Sequence, residues 1–175
     1  MFKSDVAEAY HLMLMHPFWQ IKQGVWVNGL LHIDCCGVFG GHRLGYFWVS
    51  FNSLEIWMAQ EIKNIPDLQV YSNDSYGINP VDELTLYIPY SKLIPTKQFQ
   101  LLSLWNEISL HHKKKKQLFR PILPIIGIKV DPNCLTYTLP LAAQKDLIDE
   151  LMKFCQRQKN KGSQQTRSSC YPLKQ

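Results

Sequence analysis

The stretch Val70-Tyr71-Ser72-Asn73-Asp74-Ser75-Tyr76-Gly77 runs from apolar residues into a polar, turn-prone tip and back. A Tyr-x-Asp-Asp sequence at such a tip sets two carboxylates at a tight bend between two strands. Clustered carboxylate oxygens are the ligands that hard divalent cations take. Here Asn73 stands for the first acid and Asp74 for the second. An amide oxygen is neutral, so one negative charge is missing where an ion would be held against its hydration. At a few ångströms such a charge is worth several kcal/mol, even at an effective dielectric of about 20.

Two other groups have chemistry-bearing side chains. His32, Cys35, Cys36 and His42 could suggest zinc. Adjacent cysteines rarely both reach one tetrahedral ion, and no second Cys-x-x-Cys pair is present, so ordinary thiols are the simpler reading. His111-His112-Lys113-Lys114-Lys115-Lys116 could grip a phosphate backbone or serve as a nuclear import signal. The plainer alternative, and the favoured one, is a solvated loop after a helix C-terminus, where the dipole favours cations.

The chain has 175 residues, 46% hydrophobic, 19% charged and 12% aromatic. That suits one folded domain with a real core. The net charge of +5 is less telling than it looks. Every acid lies at or before Glu150. The stretch from Gln156 to Gln175 carries Arg157, Lys159, Lys161, Arg167 and Lys174 without an acid. The body is therefore neutral, and bulk charge says little about nucleic acid. Five cysteines without framework spacing, and an N-terminus without a signal-peptide pattern, point to reduced thiols and an intracellular protein, nucleus and cytoplasm not being distinguished. No apolar run approaches the roughly 18 residues of a membrane span, so no membrane partner is expected.

The elements that must position the hairpin follow from periodicity. Asp5 to Met15 reads as a helix-prone turn, stopped by His16-Pro17. Trp19 to Val27 and Leu30 to Ile33 read as strands joined at Asn28-Gly29, a two-residue hairpin signal. Gly45 to Lys63 is helical, with Trp48, Phe51, Leu54, Ile56, Trp57, Met58 and Ile62 forming a core stripe. Leu68 to Tyr71 leads into the central hairpin, and residues 79–96 look loop-like. Lys97 to Leu110 is an amphipathic helix with Leu101, Leu102, Trp105 and Ile108 inward. Leu123 to Val130 is β-prone and broken by Gly127. Cys134 to Leu139 alternates as a strand, and Lys145 to Cys155 is a last amphipathic helix with Leu147, Ile148, Leu151 and Met152 inward. No internal repeat is present. The order predicts an α+β fold with helices on one face of an antiparallel sheet, over residues 1–155, and a disordered basic tail over 156–175.

Three blocks, in order, resemble the palm of a reverse transcriptase, closest to fungal-type retroelement polymerases. They are Asp5-Val6-Ala7-Glu8-Ala9-Tyr10 with His16-Pro17; Phe39-Gly40-Gly41 running into Trp48-Val49-Ser50-Phe51; and Tyr71-Ser72-Asn73-Asp74. Leu104 to Ile108, Leu123 to Gly127 and Val130-Asp131-Pro132 look like the connecting helix and the start of the thumb-side strands. The resemblance covers roughly residues 3–155 and implies a polymerase-palm antiparallel sheet, here without fingers and without a following RNase H segment. Leu44-Gly45 stand where the family usually has Ser-Pro.

The resemblance implies magnesium-dependent, RNA-directed DNA synthesis by two-metal nucleotidyl transfer on an RNA or DNA template–primer with dNTP. It implies Asp5 and the 73–74 pair as catalytic positions, with Asp5 and Asp74 the acids left to ligate Mg²⁺. The Val6 carbonyl would help hold the nucleotide's metal, and Tyr10 would lie under the sugar. With Asn73 in the main-ligand position, weak or lost metal binding and a silent, truncated fragment are expected. Other readings stay open. Asp5 could be a helix N-cap with Glu8 in a capping box, Asp74 a turn acid, and Tyr10 core. The rival function is a non-catalytic nucleic-acid-binding or interaction module on the same palm. A pseudogene product with exposed apolar helix faces is a third.

Overall fold

The structure, a computed structural model, describes residues 1–37 and 44–168, with side chains through 156. Strand β1 (Phe2–Asp5) is followed by a 3₁₀ turn (Ala9–Leu12), the short helix α1 (Pro17–Gln20) and a second 3₁₀ turn (Ile21–Gln23). Strands β2 (Gly24–Val27) and β3 (Leu30–Ile33) form a hairpin. Helix α2 (Leu44–Trp57) runs into a π turn (Met58–Ile62). Strands β4 (Gln69–Tyr71) and β5 (Asp74–Gly77) make the central hairpin, and β6 (Leu84–Tyr87) and β7 (Lys92–Pro95) a further one. Helix α3 (Thr96–Glu107), a 3₁₀ turn (Lys114–Lys116) and β8 (Leu118–Phe119) follow. Strands β9 (Leu123–Ile125), β10 (Ile128–Asp131) and β11 (Thr136–Thr138) precede helix α4 (Leu141–Ser168).

The chain forms two compact units, Met1–Leu123 and Pro124–Gln175. In the first, an antiparallel sheet has the order β4-β5-β1-β8. Alternation along β1 and β5 buries Phe2, Ser4, Ser75 and Gly77 on one face and leaves Lys3, Asp5, Asp74 and Tyr76 on the other. Helix α3 covers the buried face. Its Gln98 side-chain amide donates to the Ser4 hydroxyl at 3.0 Å and to the Lys3 carbonyl at 3.3 Å. Phe2 and Gly77 are cross-strand partners. A Cβ on Gly77 would lie 2.8 Å from the Phe2 ring, so the core closes only because that position has no side chain. Trp48, Trp105, Ile65, Leu68, Leu101 and Leu102 complete this core. Each fully buried leucine contributes on the order of 1.5–3 kcal/mol.

The architecture is the expected α+β one, with local differences. Asp5 ends a strand instead of opening a helix. The following 3₁₀ turn is capped by Glu8, with a left-handed backbone and no side-chain cap bond, so the capping-box reading of Asp5 fails. Asn28 and Gly29 both have positive φ (52° and 77°), as a type I′ turn requires. Residues 79–96, loop-like in sequence, contain the β6–β7 hairpin. Its prolines sit at or outside strand ends, where no ladder N–H is needed.

The inward stripe of α2 is also different. Leu44, Trp48, Asn52 and Glu55 are buried there, with Ala59 in the π turn, whereas Leu54, Trp57 and Ile62 are more than half exposed. Two polar residues hold inward positions because each has a specific partner. Asn52 serves the central hairpin. Glu55 accepts a 2.7 Å hydrogen bond from the Trp105 indole, while its other oxygen is buried without a partner. Burial pushes the Glu55 carboxyl up to about 7, against the pull of the Trp105 bond.

A second polar cluster holds the segment after α3. His112 meets the hydroxyls of Tyr87 and Tyr90 and the amide of Asn106. Burial and the neighbouring His111 hold His112 below its ordinary range. Burial, with Tyr87 nearby, pushes the Tyr90 phenol up to about 12. The β2–β3 hairpin, by contrast, is exposed along both strands, with Trp26, Leu30 and Leu31 each more than half open to solvent.

In the second unit the sheet order is β11-β10-β9, with Ile126 and Gly127 at positive φ between β9 and β10. Helix α4 continues to Ser168, past Cys155, where composition suggested that order would stop. Leu147, Ile148, Leu151 and Met152, expected to face inward, are half or more exposed. No described helix is long and apolar enough to cross a membrane.

Candidate functional site

The central hairpin and β1 bring the predicted residues together. Asp5 and Asp74 are directly opposed Cα partners on neighbouring antiparallel strands, so their side chains leave the same face of the sheet. Asn73 sits beside them at the tip. Its side-chain amide donates to Asp5 Oδ1 at 3.0 Å, and its carbonyl accepts from the Val6 N–H at 3.3 Å. The three positions that sequence assigned to chemistry thus meet across 68 residues of chain.

The tip has its own support. Ser72, the first of two turn residues, has φ 57°. Positive φ at that position alone is the pattern of a type II′ turn, which normally favours glycine. A serine is kept there because its carbonyl is doubly held. The Trp48 indole donates to it at 3.0 Å and the Asn52 amide at 2.9 Å, both from α2. The second sequence block is therefore tied to the third by the Trp48 hydrogen bond, and Asn52, the residue just after the block, adds a second. Tyr10 is half-buried in the first 3₁₀ turn, its ring edge-on to Trp48 at a centroid distance of 6.4 Å. Val6 is buried and bridges to His112.

Both carboxylates have lysine partners that sequence reasoning missed. Lys116 Nζ lies 3.0 Å from Asp5 Oδ1 and 2.9 Å from Oδ2. Lys3 Nζ lies 2.7 Å from Asp74 Oδ2. Lys3 could have been found in the sequence, since a residue two before Asp5 shares its face of a strand. Lys116 could not. It belongs to a run in which Lys113 pairs with Glu8 at 2.5 Å and Lys114 donates to the Tyr90 carbonyl at 2.7 Å. The run is thus largely spent on internal contacts, which neither the solvated-loop reading nor the phosphate grip anticipates.

The donor set does not fit a pair of magnesium ions. Asp5 and Asp74 are the two acids at the site, each already carries a lysine, and Asn73 turns its N–H₂ toward Asp5. Among the described residues no three His, Cys, Asp or Glu side chains converge as a metal-ligand group. His42 and the Phe39-Gly40-Gly41 block lie outside the described residues. Cys35, Cys36, Cys134 and Cys155 are free thiols.

No protein-family model matches the sequence, and no curated protein matches it at a significant level. Solved structures do. A foamy viral protease–reverse transcriptase in complex with RNA/DNA hybrid matches 83% of this chain at a TM-score of 0.60 and 14% identity. The same kind of protein in complex with dsDNA matches 83% at 0.62 and 15% identity. The fold is reverse-transcriptase-like. The chain spans 18% of the first of those proteins and 27% of the second.

Proposed function

We propose that the chain is a palm fragment of a reverse transcriptase from a fungal-type retroelement, and that its polymerase centre is silent. The parent activity is magnesium-dependent, RNA-directed DNA synthesis by two-metal nucleotidyl transfer. The observation that carries the reading is the meeting of Asp5, Asn73 and Asp74 on one face of a palm-like sheet. The order of the three sequence blocks and the likeness of fold support the descent. The amide at 73 supports the loss, because it leaves two acids where two divalent ions would need more negative charge.

A second reading assigns the palm a retained role in binding RNA or DNA template–primer without chemistry. The observation that favours it is the pairing of both acids with lysines. A charge-balanced site does not need a divalent ion before a phosphate backbone can approach it.

One pair of measurements tests both. Primer extension on an RNA template, with dNTP and Mg²⁺ or Mn²⁺, is expected to give no product. Fluorescence anisotropy with a labelled RNA/DNA hybrid is expected to show binding that persists in EDTA and weakens with salt as counterion release becomes less favourable. Metal-dependent extension by the native chain ends the silent-palm reading. Absence of hybrid binding ends the second.

A further inference from the structure

The acids that a metal-dependent polymerase would offer to its ions are each occupied here by an ammonium group. Lys116 reaches both oxygens of Asp5, at 3.0 and 2.9 Å, and Lys3 reaches Asp74 at 2.7 Å. We infer that Lys116 and Lys3 have taken over the cation's role at the hairpin, making it a lysine-latched site whose assembly is independent of divalent metal. The inference deepens the palm reading and rests on it only for the expectation that a metal once belonged there.

The geometry holds Lys116 in place. It ends the 3₁₀ turn Lys114–Lys116, and its own N–H donates to the Lys113 carbonyl at 2.9 Å. The next residue, Gln117, reaches back to the Asp5 carbonyl at 3.2 Å and to the Lys113 carbonyl at 3.3 Å. Lys113 and Lys114 pin the same turn to Glu8 and to the Tyr90 carbonyl. The lysine run is therefore a clamp that delivers one ammonium to Asp5.

Charge and exposure agree with this role. The side chains of Asp5 and Asp74 are 18% and 25% exposed, and those of Lys116 and Lys3 36% and 20%. Four half-buried charges sum to zero. A carboxylate so placed needs a counter-charge. With Asn73 donating to Asp5 as well, that carboxylate accepts three short contacts and has little capacity left for a hydrated divalent ion, which dehydrates reluctantly. An ion would have to expel an ammonium already at contact distance.

The test is thermal melting and calorimetric titration with Mg²⁺ and Mn²⁺ on the whole chain. The native protein is expected to melt at the same temperature in EDTA, Mg²⁺ or Mn²⁺ and to give no binding heat. Lys116→Met should lower the Tm by about 2–4 °C in EDTA, the shift expected for a loss near 1 kcal/mol in a domain of this size. Added Mn²⁺ should then return part of it, because Asp5 is freed. Lys116→Arg should behave as native. If Lys116→Met fails to fold, Asp5→Asn/Lys116→Met removes the stranded charge and should fold again. Three results overturn the inference: native protein that binds Mn²⁺ and loses it in Asp5→Asn, Lys116→Met that melts as native, or a double variant no more stable than the single one. None of these readouts uses nucleic acid, so failure of hybrid binding leaves the latch standing or falling by itself.

Discussion

The Lys116 ammonium grips both oxygens of the Asp5 carboxylate, at 3.0 and 2.9 Å, across 111 residues of sequence. Asp5 is also the acceptor for the Asn73 amide at 3.0 Å. The strand end, the hairpin tip and the turn after α3 thus converge on one carboxylate. The charge state of position 73 decides whether that convergence is comfortable.

Asn73→Asp tests this. The substitution sets a carboxylate where an amide now donates to Asp5, so a hydrogen bond becomes a like-charge contact. The expected loss is about 1–3 kcal/mol at neutral pH, the scale of stranding a partly buried polar partner. Urea unfolding at pH 7 should show it, and Mn²⁺ should reduce it by bridging the two acids. A variant as stable as native in EDTA would show that the 73–5 contact carries no weight.

Asn52 holds the Ser72 carbonyl together with Trp48. Asn52→Ala removes one donor from a buried site and should cost about 1 kcal/mol. The effect should be local as well as global. Amide hydrogen exchange at Asn73 and Asp74 should speed up more than exchange in α3. Uniform acceleration along the chain would mean that Asn52 matters only for general packing.

Gly77 faces the Phe2 ring with no room for a methyl group. Gly77→Ala should destabilise by about 1–3 kcal/mol through overpacking. Adding Phe2→Leu should recover part of the loss, because the smaller side chain vacates the colliding ring atoms. Chemical denaturation of the three variants checks the coupling, and strict additivity would refute the direct clash.

Glu55 gives the fold a pH dependence with a definite sign. Its folded value is about 7, against an ordinary 4.5. Between those values the folded chain holds a proton that the unfolded chain has released. Stability therefore falls as pH rises through that window, and the loss is complete above it. At about 1.4 kcal/mol per unit the total is about 3 kcal/mol. Glu55→Gln should abolish this loss and raise Tm at pH 8 while leaving it nearly unchanged at pH 4.5. His112 acts in the opposite direction, since its lowered value makes the unfolded chain take up the proton first below its ordinary 6.5. The Gln variant should accordingly show a slope of reversed sign in the acid range. A native Tm that is flat from pH 4.5 to 8 would contradict the Glu55 assignment.

The sequence alone determined the α+β class, the Asn28-Gly29 turn, the inward face of α3 and the pairing of β4 with β5 around the 71–74 tip. Each is a local signal: a period, a turn dipeptide, an apolar run closed by polar residues. It also placed Asp5, Asn73 and Asp74 in one site, because their blocks occur in a recognisable order. It misjudged part of α2, where Phe51, Leu54 and Trp57 are more apolar than Asn52 and Glu55, yet the two polar residues are the buried ones. Asn52 and Glu55 turn inward because their partners, Ser72 and Trp105, come from other elements, and periodicity carries no record of partners. It read Asp5 as a possible cap because a strand of only four residues gives almost no period to detect. Only the tertiary structure decided what the lysines do. A run of four lysines looks like a solvated loop or a phosphate grip until the fold carries Lys116 to Asp5, Lys113 to Glu8 and Lys114 to Tyr90. Charge pairing over a hundred residues depends on distance in space, and that is set by the sheet register and the path of the chain after α3.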